Sequence, residues 1–322
     1  MFKTCSFQTK QTIITSASIA LSISLNAMCE VTAAPTAQKQ SKPSMEEKST
    51  KIEANKQSVQ KTTDKRKEIV AEAVSTIRET QDALKALDEG KNKEALAGLE
   101  RATGKLEIVL ARDPKVALVP LDVKVETKSI VGSIDTIRKA RQEAQTLLAN
   151  GRVQEARRIL DNLCSETVIS TTNIPMATYP GALKQAAKLI DENKANEAKE
   201  VLQRALSTLV ITDVVVPLPV MEAKVSLQKA EEIAKIKSRT PEQNRQLNVL
   251  VNVADSDIQL AEALGYGTKN NFDSFHKQVS EIRQKTSNGK FGVGFFDQIK
   301  SYIESMNKSS QHPVMPVKSA NK

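Results

Sequence analysis

Three stretches of this chain repeat the same pattern, which is typical of two helices joined by a short turn. A Gly or Asn stands at each turn, where it suits the left-handed conformation that ends many helices. An Ala follows five residues later and allows close helix approach. The matching positions are Leu87, Gly90, Glu94, Ala95 and Leu99, then Leu148, Gly151, Glu155, Ala156 and Leu160, then Ile190, Asn193, Glu197, Ala198 and Leu202.

Each repeat is followed by a short apolar segment that contains proline, at residues 119–121, 174–176 and 216–218. A residue that precedes proline is pushed away from helical angles, so these segments are predicted to be extended crossovers. The repeats are 61 and then 42 residues apart, unlike the fixed 34-residue period of tetratricopeptide arrays. We therefore expect an all-α, compact helical domain built from repeated hairpins. Whether the crossovers pair as a small sheet stays open.

The net charge of +9 is not spread over the repeats. Residues 68–306 carry 33 basic and 33 acidic side chains, residues 34–67 carry 9 and 4, and residues 307–322 add three lysines. A neutral domain with 3% aromatic residues and no Trp lacks the basic and stacking surfaces that bind nucleic acid. We predict a disordered basic leader at 34–67, which has few large apolar residues, and a disordered tail at 307–322.

The first 33 residues have the layout of a secretory signal peptide. Lys3 and Lys10 precede an apolar stretch, and small residues allow cleavage after Ala33. A lipoprotein with Cys29 as its lipid-bearing residue is the alternative, but Met28 stands where that signal needs Gly or Ala. Cleavage after Ala33 leaves Cys164 as the only thiol, predicted to be buried on an apolar helical face.

Helices are also predicted at residues 221–237, from Thr240 to the glycines at 265 and 267, at 272–285 and at 295–306. Thr240, Pro241 and Gln243 supply an N-cap, a first-turn proline and a capping-box partner for the second of these helices. The glycines at 289, 292 and 294 are interpreted as a turn between the last two helices.

No motif in the sequence indicates a catalytic, cofactor or metal site. His312 falls in the predicted tail, so His276 is alone in the domain, whereas such sites need several converging ligands. Gly292 and Gly294 lack the other parts of a dinucleotide-binding loop. The acidic neighbours Asp191 with Glu192 and Glu231 with Glu232 are interpreted as solvated helix faces. Asp255 and Asp257, within an apolar helix, are the best candidates for a hydrolase, but charges on a helix surface are the preferred explanation for them as well.

Three segments resemble the YfdX family of exported enterobacterial proteins, namely residues 103–120, 173–183 and 214–223. The resemblance extends over residues 68–306. It implies a helical periplasmic protein associated with stress and with acid or drug resistance, with chaperone-like behaviour and without enzymatic activity. It supplies no catalytic residues.

These features together predict a non-enzymatic periplasmic stress protein. We expect it to self-associate as a homo-oligomer and to hold unfolded client proteins, with an acid response that comes from protonation of its many carboxylates. The alternative is a periplasmic binding module that holds a small molecule or peptide in a groove beside Pro120, Pro175 and Pro217. The basic leader is expected to make at most a weak contact with the anionic envelope.

Overall fold

A computed structural model describes residues 44–286, together with Ser301 and Glu304. The predicted signal peptide, the glycine turn, the helix at 295–306 as a whole and the tail lie outside the described residues. Residues 44–286 form helices and three strands in the following order: α1 Met45–Lys67, α2 Ala71–Asp88, α3 Asn92–Arg112, β1 Leu118–Lys128, α4 Ile134–Ala149, α5 Val153–Leu160, β2 Glu166–Pro175, α6 Tyr179–Asp191, α7 Ala195–Ser207, β3 Val210–Pro217, α8 Leu218–Ala234, α9 Pro241–Leu264 and α10 Lys269–Thr286.

The three repeats are helical hairpins, as their spacing predicts. The first hairpin is α2–α3, the second is α4–α5 and the third is α6–α7. Their turns contain Gly90, Gly151 and Asn193, with φ angles of 70°, 71° and 61°. Glycine adopts this left-handed conformation without steric cost, and asparagine tolerates it better than most residues. The predicted mostly helical fold is therefore confirmed.

The first and third hairpins pack against each other and form the largest apolar core among the described residues. Helix α3 packs on α6, and α2 packs on α7, so the two hairpins are related as by a two-fold axis. Leu99, Leu106, Leu183 and Leu202 are fully buried in this core. Tyr179 lies among them, and burial raises its pKa to about 12.

The proline-containing crossovers pair with one another. Strands β1, β2 and β3 form an antiparallel sheet in that order, in which Val125 pairs with Ile169, and Ile169 with Val214. Pro120 lies at an irregularity in β1, while Pro175 and Pro217 are the last residues of β2 and β3. Proline is tolerated at such positions because it interrupts no continuous ladder. The sequence left open whether the crossovers pair with one another, and the structure shows that they form a small sheet.

Helices α8, α9 and α10, which end the described range 44–286, pack together as a three-helix layer. Thr240 and Gln243 form the predicted capping box at the start of α9, and Gly265, with a φ angle of 86°, ends that helix. Phe272 and Phe275 of α10 are buried against α8 and α9 in a second apolar core. Helix α10 extends the predicted helix at 272–285 by a few residues.

Two local predictions are wrong. Residues 45–67 of the predicted disordered leader form helix α1, which Ser44 caps by accepting a hydrogen bond from the Glu47 backbone N–H at 3.1 Å. The segment was predicted to be disordered because it has few large apolar residues, whereas the buried face of α1 consists of small side chains. Cys164 lies in the connection after α5 and is only partly buried, since α5 ends at Leu160 and does not carry it onto the helical face.

Candidate functional site

Helix α1 lies on α8, α9 and the sheet through a stripe of small side chains. Thr50, Ala54, Ser58 and Thr62 are buried and recur every four residues, so they share one face of the helix. Ala54 belongs to a small apolar cluster with Val123, Ile169, Val216, Met221 and Val225. This contact has few large apolar groups of its own, and its polar side chains must therefore be satisfied locally.

Two hydrogen bonds connect α1 to α8 near its N-terminal end. The Ser226 hydroxyl donates to Thr50 Oγ1 at 3.3 Å, and Lys229 Nζ donates to Ser49 Oγ at 2.7 Å. The Ser58 hydroxyl, farther along the buried stripe, has no hydrogen-bond partner among the described residues. The docking of α1 thus combines small buried side chains with incomplete hydrogen bonding.

An acidic pair lies at the same junction. Glu222 of α8 and Asp257 of α9 are close enough to each other, and to Lys51 and Glu47 of α1, to interact electrostatically. Burial raises the pKa of Asp257 well above its usual range, and the neighbouring Glu222 raises it further. Burial also raises the pKa of Glu222, although Lys51 opposes this effect. One oxygen of Asp257 is buried without a hydrogen bond to the described residues.

Lys51 is the cation at this junction. Burial disfavours its ammonium group, but the hydrogen bond to Glu47, at 3.1 Å, and the negative charges of Glu222 and Asp257 raise its pKa overall. A single cation facing three carboxylates leaves excess negative charge in a partly buried place. Protonation of Asp257 or Glu222 therefore relieves repulsion and stabilises the docked position of α1.

The opposite face of α1 presents large apolar side chains to solvent. Met45, Ile52 and Val59 are 82%, 59% and 64% exposed. They recur every seven residues, and a seven-residue step returns to nearly the same side of a helix. The helix as a whole carries seven basic and four acidic residues. This outer stripe is an apolar line within a basic surface.

An open cavity of about 360 Å³ adjoins the beginning of α1. Met45, Ser49, Lys229, Glu232, Ile233 and Leu250 line it, together with Glu46 and Gln246. Its volume is at the small end of the range for small-molecule sites, about 300–1,000 Å³. Pro120, Pro175 and Pro217, proposed from the sequence as a groove wall, do not line this cavity.

The structure separates the two aspartates that the sequence singled out. Asp255 faces α10, where His276 Nδ1 lies 2.9 Å from Asp255 Oδ1 and Arg283 donates to Asp255 Oδ2 at 3.0 Å. Asp257 faces α1 and α8 instead, because residues two apart on a helix point to different sides. The two carboxylates therefore do not share a site.

His276 lies between two carboxylates and is not isolated. Its second ring nitrogen, Nε2, lies 3.5 Å from Glu262 Oε2, so the imidazole connects α10 to two positions on α9. Between residues 44 and 286 no three His, Cys, Asp or Glu side chains converge in a way that suits a metal ion. His312, Gly292 and Gly294 lie outside the described residues.

Among the other acidic neighbours, Asp191, Glu192 and Glu232 are exposed as expected, but Glu231 is buried at 8% exposure, so the interpretation as a solvated helix face is wrong for that residue. A hydrogen bond from Lys194 lowers the pKa of Glu192. Glu231 pairs with Lys235 at 3.3 Å, whereas Glu232 lines the cavity beside α1. For Cys164, burial raises the pKa of the thiol, which disfavours the reactive thiolate. None of the helices in the described part of the chain is long and apolar enough to cross a membrane.

Sequence reasoning missed α1, which contributes most of this site. The available signal was the four-residue recurrence of Thr50, Ala54, Ser58 and Thr62, with Ser44 as an N-cap. Small and hydroxyl side chains at helical spacing resemble a polar linker, because a conventional apolar stripe consists of larger residues.

Comparison with known proteins identifies the region of the repeats. Residues 76–215 match the family model described as YfdX protein, which confirms the family resemblance for that region. A solved structure of YfdX from Salmonella Typhi is 16% identical and aligns with a TM-score of 0.33. The alignment covers 47% of this chain and 93% of that one. No curated protein matches the chain.

Proposed function

We propose that this protein is a non-enzymatic periplasmic stress protein that binds unfolded client segments on the outer stripe of α1, self-associates and responds to acid. The exposed stripe of Met45, Ile52 and Val59 is the observation that carries this proposal. Large apolar side chains aligned on one exposed face are a typical protein-interaction surface. Met45 adds a flexible thioether that adapts to different apolar partners.

The basic residues around the stripe favour clients whose carboxylates are ionised. Lys48 and Lys56 are exposed on α1 near the stripe, and cations around an apolar contact attract acidic segments and increase association rates. The layout of the first 33 residues supports the periplasmic location. Contact of α1 with the anionic envelope would use the same cations.

The acid response has two opposite parts. The carboxylates beneath α1 have raised pKa values, so acidification holds α1 more firmly and keeps its stripe in place. Carboxylates elsewhere that pair with Arg or Lys lose their charge at lower pH, which leaves excess positive charge on the surface. We expect oligomers to loosen under this repulsion while α1 stays docked.

Suppression of aggregation tests the client surface directly. Light scattering of a heat-aggregating protein is measured at pH 7 and near pH 4, with the wild type and with an Ile52→Ser, Val59→Ser double variant. We expect the double variant to lose most of the suppression. Ile211→Ser, at a position on β3 that is 53% exposed, is the matched control and should behave as the wild type. Equal suppression by the double variant, or none by the wild type, contradicts the proposal.

The cavity beside α1 favours a second function, that of a binding module for a small apolar molecule or peptide. Ile233 and Leu250 supply its apolar wall, and Lys229 and Glu232 supply charged groups. Saturable binding of one defined compound, abolished by Ile233→Arg, would support this alternative over client holding.

A further inference from the structure

The second hairpin differs from the other two at matching positions of the repeat. Leu87 and Leu99 in the first hairpin are 4% and 1% exposed, and Ile190 and Leu202 in the third are 2% and 0% exposed. The equivalent residues of the second hairpin, Leu148 and Leu160, are 45% and 43% exposed. The same two repeat positions are therefore buried in the first and third hairpins and exposed in the second.

The difference arises from what covers each hairpin. Near their turns the first and third hairpins cover each other, and Lys199 of α7 pairs with Asp88 of α2 at 3.2 Å, which places the two turns side by side. In the second hairpin, Arg141 of α4 donates to the Glu262 carbonyl of α9 at 3.0 Å. That contact is seven residues before Leu148, so α9 covers the half of the hairpin away from its turn.

The open half forms a distinct apolar tip. It consists of Leu148 at the end of α4 with Val153 and Leu160 of α5, which are i and i+7 on one side of that helix. Val153 is 54% exposed, and Ala156 is the only buried residue of α5. We call these three side chains the second-hairpin tip.

We propose that the second-hairpin tip binds the same tip of a second copy of this chain. The occupant follows from the fold itself, because the surface that buries these repeat positions in the other hairpins is another hairpin of the same kind. The α2–α7 and α3–α6 pairs show the arrangement, in which the first helix of each hairpin packs on the second helix of the other. Two copies of α4–α5 related by a two-fold axis reproduce this arrangement.

In the proposed dimer, the apolar residues of the two tips face each other across the two-fold axis. Leu148 of one copy lies near Leu160 of the other, and the reverse contact is identical by symmetry. The tip involves only the end of α4 and the eight residues of α5, so the interface is at the lower limit of specific interfaces. We expect a dimer that dissociates at micromolar concentration.

This inference rests on the self-association within the proposed function and adds its location. It does not depend on client binding, which uses the outer stripe of α1. The two claims therefore fail separately: loss of dimerisation leaves the scattering assay intact, and loss of client suppression leaves the dimer intact.

Sedimentation of the purified protein over a range of concentrations tests the interface. We compare the wild type with a Leu148→Glu, Leu160→Glu variant and a Leu148→Lys, Leu160→Lys variant. Each variant alone should associate at least tenfold more weakly, because like charges meet across the axis. An equal mixture should recover a dimer, since Glu on one copy then faces Lys on the other. Ile211→Glu is the control and should leave the dimer unchanged.

Three results would overturn the proposal. The first is a wild type that stays monomeric at every concentration, which would assign the tip to a client or to another segment of this chain. The second is association of both charged variants as in the wild type. The third is a mixture that remains monomeric. Unchanged thermal unfolding midpoints of the charged variants verify that the fold persists.

Discussion

Different interactions stabilise two regions of the molecule, the paired first and third hairpins and the contact beneath α1. The paired hairpins bury large apolar residues, and the carboxylates on their surface are paired with cations. Helix α1 buries Thr, Ala and Ser above two carboxylates that share one lysine. The first contact is stabilised by the hydrophobic effect, while the second depends on polar groups that are only partly satisfied.

The comparison shows that acid acts on the two regions with opposite sign. In the paired hairpins, hydrogen bonds from Arg101 and Lys105 lower the pKa of Glu79, so its contribution to stability disappears as the pH falls through the lowered pKa. Beneath α1, the pKa values of Glu222 and Asp257 are raised, so the folded state binds protons more tightly and gains stability as the pH falls from neutral.

The largest effect is expected from truncation in the paired hairpins. Leu99→Ala removes a fully buried side chain and leaves a cavity, which should lower the free energy of unfolding by about 2–5 kcal/mol. Leu160→Ala, at the equivalent position of the second hairpin, should cost less than about 1 kcal/mol in dilute protein. Denaturant unfolding checks both values. Similar losses for the two variants would show that the second hairpin is covered within the monomer.

A smaller effect is expected from enlarging the contact beneath α1. Ala54 is 1% exposed, and Ala54→Leu overfills the space above the sheet, at a cost of about 1–3 kcal/mol. We expect α1 to become sensitive to protease while the paired hairpins stay resistant. Asn55→Leu, at an exposed neighbouring position, is the control. Global unfolding of the Ala54 variant would contradict the separation of the two regions.

Removal of the buried charge should stabilise α1. Asp257→Asn keeps the shape of the side chain but eliminates an ionised carboxylate, and we expect α1 docking to improve by on the order of 1 kcal/mol at neutral pH. The wild type should reach the same stability as the pH falls and Asp257 becomes protonated. Protease sensitivity of α1 as a function of pH measures this effect. Weaker docking of α1 in the variant at pH 7 would contradict the claim that the ionised Asp257 destabilises this contact.

The smallest effect is expected at the surface of the paired hairpins. Glu79→Gln removes ion pairs with Arg101 and Lys105, at 2.7 and 3.0 Å, and should cost less than about 1 kcal/mol at pH 7 because solvent screens them. The cost should shrink in high salt and vanish once the wild-type Glu79 is protonated. Thermal unfolding at several salt concentrations provides the measurement, and a cost that persists at low pH would indicate a packing role.

The sequence allowed prediction of the elements whose physics is local. The hairpins followed from helical periodicity and from Gly90, Gly151 and Asn193, and α9 followed from its capping box. The pairing of the crossovers depends on distant contacts, so proline spacing alone left it open. The exposure of Leu148 could not be predicted because its local pattern equals that of Leu87, which another hairpin covers.

The functional site was the least predictable part for a related reason. Helix α1 is stabilised by packing of Thr50, Ala54 and Ser58 on the sheet and on α8 and α9, which are distant in the sequence, and such contacts leave little trace in hydropathy. Asp257 was noticed as a residue of interest, but its partners Glu222 and Lys51 come from two other helices. Their convergence required the tertiary structure.

The most direct test of the contrast between the two regions is amide hydrogen exchange of α1 and α3 in the purified protein between pH 7 and pH 4.5, corrected for the intrinsic exchange rate at each pH. We predict that protection of the α1 amides, measured relative to α3, increases as the pH falls, and that Asp257→Asn makes this increase smaller because only Glu222 of the acidic pair then remains. A decrease in the relative protection of α1 on acidification would contradict the role assigned to the acidic pair beneath it.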